Sequence, residues 1–273
     1  RIVSNEQWWK LRHWGEIGYD KGDTRPMPAS AWLFNSLANK HADAMDNIPE
    51  PAVLPREKSD EEVAKQLSLI LPAILERCGY EKLYSDGWWY KLKNGSMCTA
   101  VVWDPDADGG MGDIAIRNVD ILNLFWEPGI KDIEESASLF YVTLVDRERL
   151  NLMYPELLGE DTESVAGGTG NVEKYKTEDK TDDSAKVEVV DWYYKKTING
   201  RKQLCYCKFC GDRVIYSSED DESCADGFYK HSRYPFVMDT LFVQEGTPCG
   251  FGYIDVMRDA QMYIDKLSQV VLE

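Results

Sequence analysis

The sequence has little of what enzymes use. It carries three histidines in 273 residues. It has no nucleophile elbow, phosphate-binding loop, dinucleotide fingerprint or paired-histidine metalloprotease motif. These absences remove the familiar routes to acyl, phosphoryl and hydride transfer and leave little material for acid–base work. Basic charge is short as well: 31 Lys and Arg stand against 48 Asp and Glu, for a net charge of −17. A chain this acidic does not grip nucleic acid through counterion release, yet it can surround DNA without sticking to it. The plainer role of such acidity is solubility. No apolar run approaches membrane-spanning length, and no signal peptide is visible. The seven cysteines are an odd number in a long chain, which predicts reduced thiols in a cytosolic compartment rather than a disulfide framework.

What is present predicts a folded protein. Hydrophobic residues make up 43% of the chain, with Trp and Tyr plentiful, enough for one large or two ordinary domains. Residues 5–17 predict a short Trp-rich helix. Ser30 is placed to cap a second helix running to about Asp46, with Phe34, Leu37, Ala38, His41 and Met45 on one apolar face. Pro49, Pro51 and Pro55 stop it. Ser59 and Glu62 form a capping-box pattern for a third helix, with Val63, Leu67, Ile70, Leu71, Ile74 and Leu75 as its buried stripe and a break at Pro72. The period then changes to two. Residues 88–92 and 97–103 predict strands joined by Asn94-Gly95, and residues 114–116 and 139–144 predict further strands. Residues 146–153 predict a short helix.

Residues 160–186 are polar and acidic and predict a mobile loop. Beyond them, residues 187–196, 203–209 and 214–216 predict a three-strand meander, with turns at Asn199-Gly200 and Gly211-Asp212. An extended stretch at 233–237 and a glycine-rich bend at 246–252 lead into a last amphipathic helix. Its expected inner face is Ile254, Met257, Ile264, Leu267 and Val271. The chain starts at Arg1 without an initiator Met, and this helix has no closing Gly, Pro or cap, so the natural protein is expected to continue past Glu273. The fold class is α+β: N-terminal helices packed on a mainly antiparallel sheet, then this helix.

Three constellations are candidates for chemistry. Cys207 and Cys210 have the C-x-x-C-G spacing of a zinc knuckle, and Cys205, Cys224 and His231 are available to complete four ligands. A second well-spaced pair is absent, and two cysteines on one strand face also serve as small apolar residues. Asp104, Asp106, Asp108 and Asp113 crowd a Gly-rich loop, but the full calcium-loop pattern, with Gly sixth and Glu twelfth, is not met. The run Glu219 to Glu222 has the pattern of a solvated charged face. Trp8-Trp9 and Trp88-Trp89 near acids raise a glycan-acting cleft, although adjacent residues on a strand face opposite ways. No catalytic residue and no resident cofactor is expected, zinc at the cysteine cluster being the alternative.

Several stretches carry a resemblance. They are Asn35-Ser36-Leu37-Ala38-Asn39-Lys40, Asn47-Ile48-Pro49-Glu50-Pro51, Phe125-Trp126-Glu127-Pro128-Gly129, Val189-Val190-Asp191-Trp192-Tyr193-Tyr194, Tyr234-Pro235-Phe236-Val237 and Glu245-Gly246-Thr247-Pro248-Cys249-Gly250-Phe251-Gly252-Tyr253. Together they resemble portal proteins of tailed bacteriophages, in the branch found in phages and prophages of Clostridium-like bacteria. The resemblance implies a structural, non-enzymatic subunit of a homo-oligomeric, usually dodecameric ring at the capsid vertex of the virion, assembled in the host cytoplasm. Double-stranded DNA passes through such a ring non-specifically. The implied partners are the terminase, capsid and scaffold proteins, and head–tail adaptors, with no membrane. In that plan residues 1–252 form a wing-like domain and residues 253–273 begin a stem helix. The clip, second stem helix and crown would lie beyond the chain.

Overall fold

The computed structural model describes residues 1–19, 22, 24–155, 186–229 and 231–273. The expected loop at 160–186 therefore lies outside the described residues, except for Lys186. The chain divides into two compact units: residues 1–118, 235–243 and 249–273 form the first, and residues 119–234 and 244–248 the second. The architecture is α+β, as expected.

The first unit is mostly helical. It holds α1 (Ile2–Trp9), α2 (His13–Ile17), α3 (Trp32–Met45), α4 (Glu61–Arg77), α5 (Tyr80–Asn94), a distorted single turn α6 (Ala107–Gly110) and, at its end, α8 (Tyr253–Leu272). A small sheet of order β2-β1-β8 joins them, built from β1 (Ser96–Asp104), β2 (Asp113–Val119) and β8 (Phe236–Thr240). The β1–β8 pair is antiparallel, with Cys98 opposite Met238. Trp8, Leu33, Leu37, Leu92 and Ile254 form the core, with Trp9, Trp88, Trp89 and Met257 packed around it. Burying five such side chains supplies on the order of 10 kcal/mol before chain entropy opposes it.

Several local expectations change here. The helix expected at 5–17 is two helices, because Leu11 takes a left-handed backbone (φ 57°) that no α-helix contains. Residues 88–92 are not a strand: they are the end of α5, and Asn94-Gly95 closes that helix instead of turning a hairpin. Gly95 (φ 89°) donates its N–H to the Lys91 carbonyl at 2.7 Å. A left-handed glycine serves a hairpin or a helix end equally well, so the dipeptide alone does not choose. α4 runs unbroken through Pro72, which is exposed, so water can serve the carbonyl left without a donor. Its stripe is not buried as expected: Val63, Leu67 and Ile70 are exposed, and of the residues of α4, Ala64 is the buried one. Ser59 donates to Asp60 at 3.1 Å, and the Asp60 carboxylate accepts from the Glu57 N–H at 3.3 Å, in place of the expected Ser59–Glu62 box. Ser30 does not cap α3, whose N-cap is Ala31. The inner face of α3 is Leu33 and Leu37, while Phe34 is part-exposed and stacks on Trp9 at 4.6 Å.

The second unit is a five-stranded antiparallel meander of order β3-β4-β5-β6-β7. Its strands are β3 (Leu124–Trp126), β4 (Ser138–Asp146), β5 (Lys186–Ile198), β6 (Arg201–Cys210) and β7 (Arg213–Ser217). The expected meander is present, and Asn199 (φ 51°) and Gly200 (φ 75°) make its first turn with both residues left-handed. α7 (Arg147–Met153) follows β4, with the Asp146 carboxylate capping it through the Glu148 and Arg149 N–H groups. Alternation sorts the sheet faces. Leu139, Tyr193 and Tyr206 face one another across three strands in register, and Leu204, Val187 and Val189 lie on the same buried face.

Candidate functional site

The cysteine cluster does not converge. Cys205 and Cys207 are two apart on β6 and share a face, whereas Cys210, an odd number of residues away, faces the opposite side. There Cys210 packs in the apolar core with Leu150, Val187, Val189 and Ile215. A C-x-x-C pair closes on one ion only when a tight turn brings both thiolates together, and an extended strand does the reverse. Burial raises the pKa of Cys205, Cys207 and Cys210, and Glu219 adds to the shift at the first two, together with Asp220 at Cys207, so the protonated thiol is favoured. Cys224 lies 3.7 Å from the Tyr216 hydroxyl. His231 is exposed and accepts the Arg233 N–H. Among the described residues, no group of three or more His, Cys, Asp or Glu side chains is placed to hold a metal ion.

The other candidates are also absorbed locally. Asp104 pairs with Arg117 at 2.6 Å, and Asp113 with Arg77 at 2.7 Å. In the acidic run, Glu219 accepts from Lys196 at 2.8 Å and from the Tyr194 hydroxyl at 2.6 Å. These bonds, Lys196 first, hold its pKa below the ordinary carboxylate value. The Trp pairs sit on helices and build a core instead of lining a cleft. Trp8 is buried, Trp9 lies 5.0 Å from Trp89, and His41 stacks flat on Trp89 at 3.9 Å.

The polar groups that do converge are on α8, and the sequence pattern passed over them. Gln261, Asp265 and Gln269 recur every four residues and form one buried row. Asp265 and His13 are both 0% exposed, and His13 Nδ1 lies 2.5 Å from Asp265 Oδ2. Asp265 Oδ1 accepts from the Ser30 N–H (3.0 Å), the Ser30 hydroxyl (2.9 Å) and Gln261 Nε2 (3.0 Å). Gln261 Oε1 accepts the Leu33 N–H at 3.0 Å, and Gln269 donates to the Pro26 carbonyl at 3.0 Å. His13 Nε2 lies 3.1 Å from the Trp8 carbonyl, and its ring stacks on Trp8 at 4.6 Å. Ser30, expected as a helix cap, is thus spent on α8.

The row inverts the face expected from periodicity. Ile254 is buried and Met257 half-buried, but Ile264, Leu267 and Val271 point to solvent. A buried carboxylate holds such a place only when hydrogen bonds surround it, and this one has four partners. Both carboxylate oxygens of Asp265 and both ring nitrogens of His13 are engaged with groups of this chain. The chemistry of the network is that of a clamp: it joins residues 8–33 to α8.

The model of the phage P22-like portal protein family matches residues 42–223, about two-thirds of the chain. The chain belongs to that family. The match runs from the end of α3 to just past β7, so the α8 network lies outside it. No curated protein matches the chain. The portal protein is a structural component of the bacteriophage virion, at the capsid vertex, and not an enzyme. No helix among the described residues is long and apolar enough to cross a membrane.

Proposed function

We propose that this chain is the wing region of a portal subunit whose homo-oligomeric ring conducts double-stranded DNA during packaging and ejection. The observation that carries this reading is the family match over residues 42–223. In it, α8 takes the place of the first stem helix. The terminase, capsid or scaffold proteins and head–tail adaptors are its partners, and its relatives are the portals of Clostridium-like phages and prophages. The net charge of −17 supports the conducting role, because a negative wall repels the DNA backbone and lowers sticking during passage.

Electron microscopy of the purified protein tests the reading. Closed rings with a central channel, dodecameric or close to it, are expected, and a protein that stays monomeric at high concentration would contradict it. The electrostatic part has its own test. Lysine replacements of acidic residues on the ring's inner wall should slow packaging in vitro, and unchanged packaging rates would remove that part alone.

A further inference from the structure

The hydrogen bonds around His13 and Asp265 fix where their protons sit. Both side chains are fully buried, so water does not share their contacts. His13 Nε2 lies 3.1 Å from the Trp8 carbonyl oxygen, which only accepts, so Nε2 carries a hydrogen. His13 Nδ1 lies 2.5 Å from Asp265 Oδ2, a contact that needs a hydrogen on one of the two atoms. The other carboxylate oxygen decides which. Asp265 Oδ1 accepts from the Ser30 N–H, the Ser30 hydroxyl and Gln261 Nε2, at 3.0, 2.9 and 3.0 Å. The Gln261 amide is fixed in this sense, because its Oε1 takes the Leu33 N–H. Donors gathered on one oxygen favour the ionised carboxylate, so the hydrogen belongs to Nδ1. The ring then bears hydrogens on both nitrogens and a positive charge.

We infer that His13 is held as an imidazolium, which makes the join between residues 8–33 and α8 a proton-dependent latch. Closing the latch takes a proton from solvent, and the charges of His13 and Asp265 cancel inside. Without that proton one ring nitrogen turns a lone pair on an oxygen, either Nδ1 on the carboxylate or Nε2 on the Trp8 carbonyl. Asp265 is the charged group that faces the ring. From α1 the ring meets the Trp8 indole at 4.6 Å, and Ser30 and Gln261, which face the carboxylate, are uncharged. Charges on the neighbouring helices are engaged elsewhere: Glu6 with Lys93 at 2.7 Å, and Glu16 with the Ser4 hydroxyl at 2.6 Å. Arg12 and Lys266, next in the chain to the pair, are exposed. The inference stands on this network alone and does not depend on the ring reading.

The test is solid-state nitrogen NMR of the sedimented whole chain, isotope-labelled at histidine, at about pH 8, where a freely exposed histidine is neutral. His13 is assigned by subtraction, using His41→Gln and His231→Gln. Its ring should show a hydrogen on both nitrogens. A neutral ring with a single hydrogen overturns the inference. The proton is also counted directly. Unfolding in weakly buffered solution at the same pH should release about one more proton from the wild type than from His13→Gln/Asp265→Asn, in which both titrating groups are neutral. Equal release from the two also overturns the latch. Should the double variant fail to fold, the ring spectrum of the wild type decides by itself.

Discussion

In the sheet unit the residues buried on one face of the meander include Leu139, Val187, Val189 and Leu204, all apolar. In the helical unit α8 does the opposite and buries Gln261, Asp265 and Gln269 while leaving Leu267 and Val271 in water. The two modes fail differently. An apolar face is non-directional and tolerates any side chain of about the right size. A buried carboxylate is held by direction and charge and tolerates almost nothing, because removing one partner strands the others in a dry interior. The difference teaches where each unit is specified. Alternation of residue types is enough for the sheet, whereas the helical unit depends on particular atoms at Asp265, His13 and Ser30.

The largest expected effect breaks that contrast at its centre. Asp265→Ala should destabilise the helical unit by about 4 kcal/mol, since it leaves His13 and both Ser30 donors buried without their acceptor. Chemical denaturation followed by Trp fluorescence reads this. A loss under about 1 kcal/mol would mean the row is incidental. The counterpart in the sheet is Leu204→Met, equally buried but volume-conserving, with an expected cost below about 1.5 kcal/mol.

Glycine separates the units next. A Cβ on Gly95 would collide with the Phe251 backbone, and Gly95 also has a positive φ, so Gly95→Ala should cost about 3 kcal/mol from strain and overpacking together. Gly200, with the same sign of φ but open space around it, should cost only about 1 kcal/mol when replaced by Ala. Equal losses at the two positions would show that conformation alone, and not the crossing of α5 with the lead into α8, governs Gly95.

A smaller effect sorts the cysteines. Cys210→Ser places a hydroxyl in the apolar core of the sheet unit and should cost about 1–2 kcal/mol, while Cys207→Ser on the half-exposed face should stay within about 0.5 kcal/mol. Metal analysis of the purified chain accompanies it: no stoichiometric zinc is expected, and one equivalent lost in Cys207→Ser would restore the knuckle. The smallest effect is in pH. The folded pKa of Glu219 is lowered by Lys196 and Tyr194, so its contribution is present above the ordinary carboxylate pKa and lost as pH falls through the lowered folded value. The gap in unfolding midpoint between wild type and Glu219→Gln should therefore narrow from pH 6 to pH 3. The site is largely exposed, so the gap is small and shrinks in salt.

Much of the sheet unit was legible because a strand's period of two leaves one assignment of faces. Val187, Val189 and Leu204 are read directly, and Asn199-Gly200 marks the turn between their strands. The helical unit was harder. Trp88, Trp89 and Leu92 fit a strand as easily as the end of a helix, and Gly95 terminates either. The candidate site was the least legible. Gln261, Asp265 and Gln269 look like the wet face of an amphipathic helix, since nothing nearby in sequence announces that residues 8–33 will supply their partners.

By itself the sequence determined the α+β class, the meander, the absence of enzyme motifs and, through its motifs, the portal family. These depend on local periodicity and on residue patterns that survive without contacts. Only the tertiary structure decided which side of α8 and of α4 faces inward. A helix of two unlike faces is satisfied by whichever surface it meets, and for α8 that surface offered a buried imidazole, a hydroxyl and the backbone groups of Pro26, Ser30 and Leu33, from residues more than 220 positions away.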